Sequence, residues 1–306
     1  MQKEQKGTGL EEIVREIQQN FGIVGRDEEI KKAIAAKMAG KHLLIEGEVG
    51  TGKTTLAVAI SKYFNQPLFR IDGDERMTEA KLVGHFDPPM VVKKGYTWEA
   101  FVPGPLVRAM KEGGILFINE LNRLPEGTQN VLLPAMDEGK IYIPKLGEIN
   151  AKDGFTVIAT ENPSEHVGTT PLSEAIRDRF VLISLEYQSE DEEIEIVTLR
   201  SGCSREIAEK SVKITRLTRE HPDIKRGSSV RGAIDIASLV EKIGNGLELS
   251  SWIDASLMAL STKIELNDGT NRSIREIIEE IVLKAIKDFP GGREELGLSM
   301  IQRKSM

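Results

Sequence analysis

Eight residues set most of what this chain can fold into. Gly47-Glu48-Val49-Gly50-Thr51-Gly52-Lys53-Thr54 matches G-x-x-x-x-G-K-[ST], with apolar Leu43-Leu44-Ile45 before it. Thr55 and the helix-forming run Leu56-Ala57-Val58-Ala59-Ile60 follow at once. Strand, loop and helix in that order are the context the pattern requires. Glycines let the backbone turn tightly, so that successive N–H groups face a polyphosphate. The helix beginning near Lys53 adds the positive end of its dipole. Lys53 is placed to reach the β- and γ-phosphates, and the Thr54 hydroxyl is placed to hold Mg²⁺.

Further strand ends carry polar residues. Ile115-Leu116-Phe117-Ile118 is wholly apolar, too short for a helix and suited to a strand buried on both faces. Asn119 and Glu120 stand at its carboxyl end. Thr156-Val157-Ile158-Ala159 is a second such strand, followed by Thr160-Glu161-Asn162-Pro163. Pro67 to Asp72 and Val181-Leu182-Ile183 complete a set of strands alternating with helices, which predicts a mostly parallel sheet covered on both sides. Ligands in such sheets bind beyond the strand carboxyl ends. Glu120 there can orient and deprotonate an attacking water. Asn119 occupies the place of the aspartate that usually helps hold Mg²⁺; an amide can bond a metal-bound water but brings no charge. Asn162 fits a contact to the γ-phosphate or the attacking water, and equally a turn before Pro163. Arg177 and Arg179 precede the last strand. Either suits charge developing on a transferred phosphoryl group, and either can pair with Glu174 or Asp178. Arg231 opens a later helix from which it can report nucleotide state.

Helices are predicted from Leu10, Ile13, Val14 and Ile17, and from Asp27 with Ile30, Ile34 and Met38 on one face. Gly104-Pro105 opens a helix through Met110, Thr128 to Met136 form another, and Ile141-Tyr142-Ile143 is a short strand. Between Gly84 and Pro105, residues 91–98 fit either a hairpin with a basic tip at Lys94-Gly95 or a solvated loop. After Leu185 helical patterns take over near 190–199, 205–219, 230–243, 251–264 and 273–288, the first with capping-box spacing at Ser189 and Glu192. This places a domain boundary near residue 187 and a tail after Phe289 that is expected to fray.

The net charge of −7 argues against bulk coating of nucleic acid. Cys203 is the single cysteine, so no internal disulfide or cysteine metal site forms. With a polar N-terminus and no run of about twenty apolar residues, the expectation is a cytoplasmic chain without a membrane span.

Taken together these segments resemble the AAA+ ATPases, and within them the MoxR family, from Ile23-Val24-Gly25-Arg26 to about Arg231. Residues 47–54 are similar to Walker A, 115–120 to Walker B, 159–163 to sensor 1 and Gly227-Ser228-Ser229-Val230-Arg231 to sensor 2. Asp178-Arg179-Phe180 resembles the segment that carries the arginine finger, and Phe101-Val102-Pro103-Gly104-Pro105-Leu106 the exit of that family's insert. The resemblance implies a P-loop NTPase αβα sandwich with a five-stranded parallel sheet of order 5-1-4-3-2 and a C-terminal α-helical lid. The core is then 1–186, with a hairpin insert at about 88–103 facing a pore, and the lid is 187–306. It further implies a hexameric homo-oligomer with ATP and Mg²⁺ between subunits. Val24 and Gly25 would line the adenine pocket and residues 47–55 the phosphates, with Thr54, Asn119 and Glu120 at the metal. Arg179 would be the finger reaching a neighbour, Arg177 a second, and Arg231 the lid sensor. MoxR proteins act as chaperone-like remodellers, often with a von Willebrand factor A partner, in maturing metal-cofactor clients. The departure, Asn119, predicts weakened Mg²⁺ binding or slow turnover. It keeps open a nucleotide switch that barely hydrolyses, and a GTP-using or nucleic-acid-acting ring subunit is the further alternative.

Overall fold

The computed structural model describes residues 9–163, 171–244 and 248–287. The expected fraying tail after Phe289 lies outside the described residues. The chain divides into two compact units, Met1–Glu186 and Tyr187–Met306.

The first unit begins with α1 (Leu10–Phe21), α2 (Asp27–Met38), β1 (His42–Gly47), α3 (Lys53–Tyr63) and β2 (Leu68–Asp72). It continues with α4 (Glu79–Val83), β3 (Gly84–Phe86), α5 (Pro88–Lys94), β4 (Phe101–Pro103), α6 (Pro105–Glu112) and β5 (Ile115–Asn119). Then come α7 (Glu126–Asn130), α8 (Leu132–Asp137), β6 (Lys140–Ile143), β7 (Gly147–Asn150), β8 (Thr156–Glu161), α9 (Glu174–Arg177) and β9 (Phe180–Leu185). Five strands form one sheet in the order β2-β5-β8-β1-β9, every pairing parallel. That is the expected 5-1-4-3-2 order.

The apolar runs explain why this sheet is the middle layer. Alternate residues of a strand point to opposite faces. Leu43, Ile45, Ile115, Phe117 and Ile158 pack with Val14, Ile17, Ile30, Ile34, Leu56 and Ile60 of α1, α2 and α3. Leu44, Leu116, Ile118, Val157 and Ala159 pack with Leu106, Met110, Leu132 and Ala135 of α6 and α8. A strand with a core on each side must read as continuously apolar.

Several expectations need correction. The hairpin is absent from residues 91–98: residues 91–94 end a helix, and 95–97 are an exposed bend, so the loop alternative holds for that part alone. Pro88 and Pro89 occupy the first helical turn of α5, where a fixed φ is already helical, and Gly95 terminates it. The antiparallel pair lies at the base of this insert instead, with β3 against β4. Met38 is 65% exposed; α2 buries Ala33 and Lys37 beside Ile30 and Ile34. The helix expected over Thr128–Met136 is broken at Val131 into α7 and α8, because Pro134 has no N–H for the Asn130 carbonyl. Strand β7, which pairs with β6, was not foreseen.

Lys37 ties α2 to the sheet by donating hydrogen bonds to the Gly154 carbonyl and to Thr156 Oγ1. Burial lowers its pKa to about 8. Between that value and its ordinary 10.5 the unfolded chain holds a proton that the folded chain has released, so this group's contribution to stability rises with pH across that window. Urea unfolding of wild type and Lys37→Met is expected to show a difference that grows in favour of wild type from pH 8 to 10. A flat difference would mean that the amine is not shifted.

The second unit contains α10 (Glu190–Ser201), α11 (Arg205–Glu220), β10 (Ile224–Arg226), α12 (Val230–Gly244), α13 (Leu249–Leu260), β11 (Glu265–Leu266) and α14 (Ile274–Lys287). Ser189 and Glu192 form the expected capping box on α10. Trp252 is fully buried among Ile214, Ile236, Leu260 and Ile281. The buried Glu193 carboxylate is matched by two guanidinium groups, Arg216 at 3.0 Å and Arg219 at 2.8 Å. Removing the carboxylate would leave two guanidinium groups without their shared counter-charge, whereas loss of one arginine leaves Glu193 paired with the other. No described helix is long and apolar enough to cross a membrane.

Candidate active site

The loop between β1 and α3 is a cradle tied at several points. The Lys53 ammonium donates to the carbonyls of Gly47 at 2.6 Å and Glu48 at 2.9 Å. Thr51 Oγ1 donates to the Glu48 carbonyl at 2.9 Å. Gly47 has φ 155°, and a Cβ there would stand 2.4 Å from the Leu185 carbonyl of β9. Only glycine lets the loop leave the sheet so close to that neighbour. The turn at Ile23–Arg26 reaches the same loop. Arg26, with 10% of its side chain exposed, donates to the Thr51 and Glu186 carbonyls and pairs with Glu29. Gln18 donates to the Gly25 carbonyl at 2.7 Å, which fixes the backbone beside half-buried Val24. Arg26 was not foreseen as a loop anchor, since its partners are backbone atoms distant in sequence.

The end of β5 is joined to this cradle by a polar chain. Thr54 Oγ1 donates to Asn119 Oδ1 at 3.4 Å, and Thr160 Oγ1 donates to the same oxygen at 3.1 Å. Asn119 Nδ2 donates to Asp72 Oδ1 at 3.0 Å. The backbone N–H of Glu120 donates to Thr160 Oγ1 at 3.0 Å. Glu120 is held in the left-handed region, at φ 59° and ψ 58°. Its neighbour in space is Gly73, whose N–H donates to the Asn119 carbonyl at 2.7 Å. A Cβ on Gly73 would fall 2.0 Å from the Glu120 carbonyl oxygen. The glycine after β2 is therefore a condition for the backbone carrying the acid. The Glu120 carboxylate pairs with Arg123 at 2.9 Å, and about a third of each side chain is exposed. Asp72, Gly73, Thr160 and Arg123 are site residues that motif reading missed. Neighbouring strands bring in Asp72, Gly73 and Thr160, with Asp72 paired to Asn119, whereas Arg123 is a local partner three residues after Glu120.

Asn162 is buried directly after β8. Its neighbour Glu161 lies opposite Glu46 in the β1–β8 register. Burial pushes the Glu161 carboxyl up; Arg177 draws it down in part and Glu46 adds to the rise. Arg177 is exposed and makes no ion pair among the described residues. Arg179 grips Asp137 through Nε and Nη2 at 2.8–3.0 Å and donates to the Ala175 carbonyl. Its contact with Asp178 is long, at 3.9 Å, so the anticipated local partner is the lesser one. Asp137 is correspondingly held below the usual carboxylate range by the Arg179 hydrogen bond. In the second unit, Arg231 is exposed in the first turn of α12, with no ion pair among the described residues.

The donor set suits Mg²⁺. The ion favours hard oxygen ligands, keeps several waters and takes few protein groups when phosphates share it. Thr54 Oγ1 and Asn119 Oδ1 face one another at the lip of the cradle, with a carboxylate beyond Asn119. Among the described residues no three His, Cys, Asp or Glu side chains form a dedicated metal cage.

Comparison with known proteins agrees with this geometry. The family model of the AAA domain (dynein-related subfamily) matches residues 42–180, and that of the TIP49 P-loop domain matches residues 4–78. An uncharacterized protein of Staphylococcus saprophyticus is 32% identical over 228 residues, 72% of this chain and 86% of that protein. The uncharacterized Bacillus subtilis protein YojN is 40% identical over 157 residues, 51% of each chain. Among solved structures, a proline-to-glycine mutant of Thermotoga maritima RuvB aligns at TM-score 0.50 and 21% identity, covering 87% of this chain and 70% of that one. This last likeness concerns the fold alone.

Proposed function

The chain belongs to the AAA family of P-loop ATPases, and from that premise we propose that it binds and hydrolyses ATP with Mg²⁺ between subunits of a homo-oligomeric ring. The observation that carries this reading is the meeting of three strand ends: the cradle after β1, Glu120 after β5 and Asn162 after β8. In the proposal, the backbone of residues 47–52 and Lys53 bind the phosphates, Thr54 and Asn119 hold the metal side, and Val24 and Gly25 border the base. Mg²⁺, when bound, neutralises charge on the β- and γ-phosphate oxygens. Glu120 orients a water and accepts its proton as the oxygen attacks the γ-phosphorus. The bond to the bridging oxygen breaks, and ADP and phosphate leave. Asn162 positions the water or the γ-phosphate. Arg179, with Arg177 beside it, stabilises the charge on a neighbour's nucleotide, and Arg231 reads nucleotide state.

We assign residues 1–186 to the nucleotide-binding core and 187–306 to a lid. The finer placement, carried by the sequence resemblance, is a MoxR-type hexamer. It would act as a chaperone-like remodeller of a protein client, aided by a von Willebrand factor A partner. A finger supplied by another subunit makes specific activity depend on assembly. Phosphate release per subunit is expected to climb with protein concentration until the ring is complete; a rate per subunit that stays constant while mass measurements show assembly would overturn the shared site.

A second reading, a nucleotide switch with little turnover, is favoured by Asn119 and by the Arg123 grip on Glu120. Undetectable phosphate release from the assembled ring with Mg²⁺ present would select it.

A further inference from the structure

Asn119 brings no charge to the metal side of the site, yet a carboxylate stands immediately behind it. Asp72 ends β2 as the register partner of Asn119, so both residues sit at the same strand-end level. The amide orientation is fixed by its contacts. Oδ1 accepts from two threonine hydroxyls, Thr54 at 3.4 Å and Thr160 at 3.1 Å, and Nδ2 must then face outward, where it donates to Asp72 Oδ1 at 3.0 Å. The result is a relay from the Asp72 carboxylate through one amide to the Thr54 hydroxyl.

Asp72 Oδ1 also accepts from Arg70 Nε and Nη2, at 3.2 and 2.7 Å. Oδ2 has no hydrogen bond among the described residues, and the side chain is 61% exposed. This carboxylate is therefore open to solvent on the side not used by Arg70 and Asn119. Mg²⁺ parts with its waters reluctantly, so a charge that acts on a metal-bound water is nearly as useful as one on the ion. Removing a group placed behind the direct ligands commonly costs about 10–100-fold in metal affinity.

We propose that Asp72 replaces, from the adjacent strand, the negative charge missing at Asn119. It polarises Asn119 toward Thr54 and holds through Oδ2 a water of the Mg²⁺ that accompanies the nucleotide. Asp72 is then a positioning residue for the metal, and this assignment rests on the reading of the site as one for ATP and Mg²⁺.

The test uses the full chain and a fluorescent ATP analogue, titrated with Mg²⁺ and separately in EDTA. For Asp72→Asn, the Mg²⁺ concentration that half-restores tight analogue binding is expected to rise about tenfold, with affinity in EDTA unchanged. Asn119→Asp in the Asp72→Asn background is expected to bring the Mg²⁺ requirement back toward wild type, since the charge returns one strand over. A shift under twofold, a loss of affinity in EDTA as large as that in Mg²⁺, or no recovery in the double variant would overturn the proposal. A wild-type chain that binds no analogue, or binds it equally with and without Mg²⁺, refutes the ATP and Mg²⁺ reading itself and this proposal with it.

Discussion

Glu120→Gln is expected to retain ATP and lose turnover. The amide keeps the length and shape of the side chain and the left-handed backbone already imposed on residue 120. It cannot take a proton from water. A positioned general base contributes about 10²–10⁴-fold, so steady-state phosphate release should fall by about that factor. Affinity for a fluorescent ATP analogue should stay within about threefold, because the cradle and Lys53 are untouched. The structure adds a second consequence. Glu120 is engaged with Arg123 at 2.9 Å, so the acid must leave an ion pair before it acts. With about a third of each side chain open to solvent, the pair is partly screened, and the carboxylate can turn from Arg123 toward water as it moves. Turnover retained in Glu120→Gln would remove the residue from its assigned role.

The second large effect is expected at Arg179. An arginine finger contributes about 10³–10⁵ to the rate of phosphoryl transfer, and Arg179→Ala should lose activity on that scale while binding nucleotide normally. In the described chain the guanidinium is clamped by Asp137 and the Ala175 carbonyl, with 29% of its side chain exposed. For a finger, that clamp is a resting position. The distinguishing experiment mixes Arg179→Ala with Lys53→Ala. The first supplies an intact cradle and the second an intact finger, so mixed rings should regain a measurable fraction of wild-type phosphate release. Full activity in Arg179→Ala alone, or no recovery from mixtures that assemble, would show that Arg179 serves its own subunit and holds Asp137.

Much of the fold was legible because the sheet is buried on both faces. Ile115-Leu116-Phe117-Ile118 and Thr156-Val157-Ile158-Ala159 leave few alternatives to parallel strands, and the loop before Lys53 fixes which end of the sheet matters. The helix at Pro88–Lys94 was not legible to a reading that weighted Val91-Val92 as strand formers, since two prolines at its start outweigh that preference. Strand β7 escaped because Gly147-Glu148-Ile149-Asn150 has one good strand former; its partner β6 makes the pairing. At the site, contiguous motifs named Lys53, Thr54, Asn119, Glu120 and Asn162. Asp72 and Thr160 act through neighbouring strands, Arg26 through backbone oxygens far along the chain, and Asp137 through an ion pair with distant Arg179, information a local pattern does not carry.

The backbone at residue 120 sets two demands against each other. A left-handed conformation costs a side chain with a Cβ about 1–2 kcal/mol, and aspartate or asparagine would bear it more easily than glutamate. The longer acid sits there regardless, held by Thr160 on one side and by the bare Gly73 on the other. A shorter acid would ease the turn and draw its carboxylate back by one methylene from whatever it must touch. Sturdiness and reach therefore oppose each other at this position, and variants selected for heat resistance would tend to drift toward idleness.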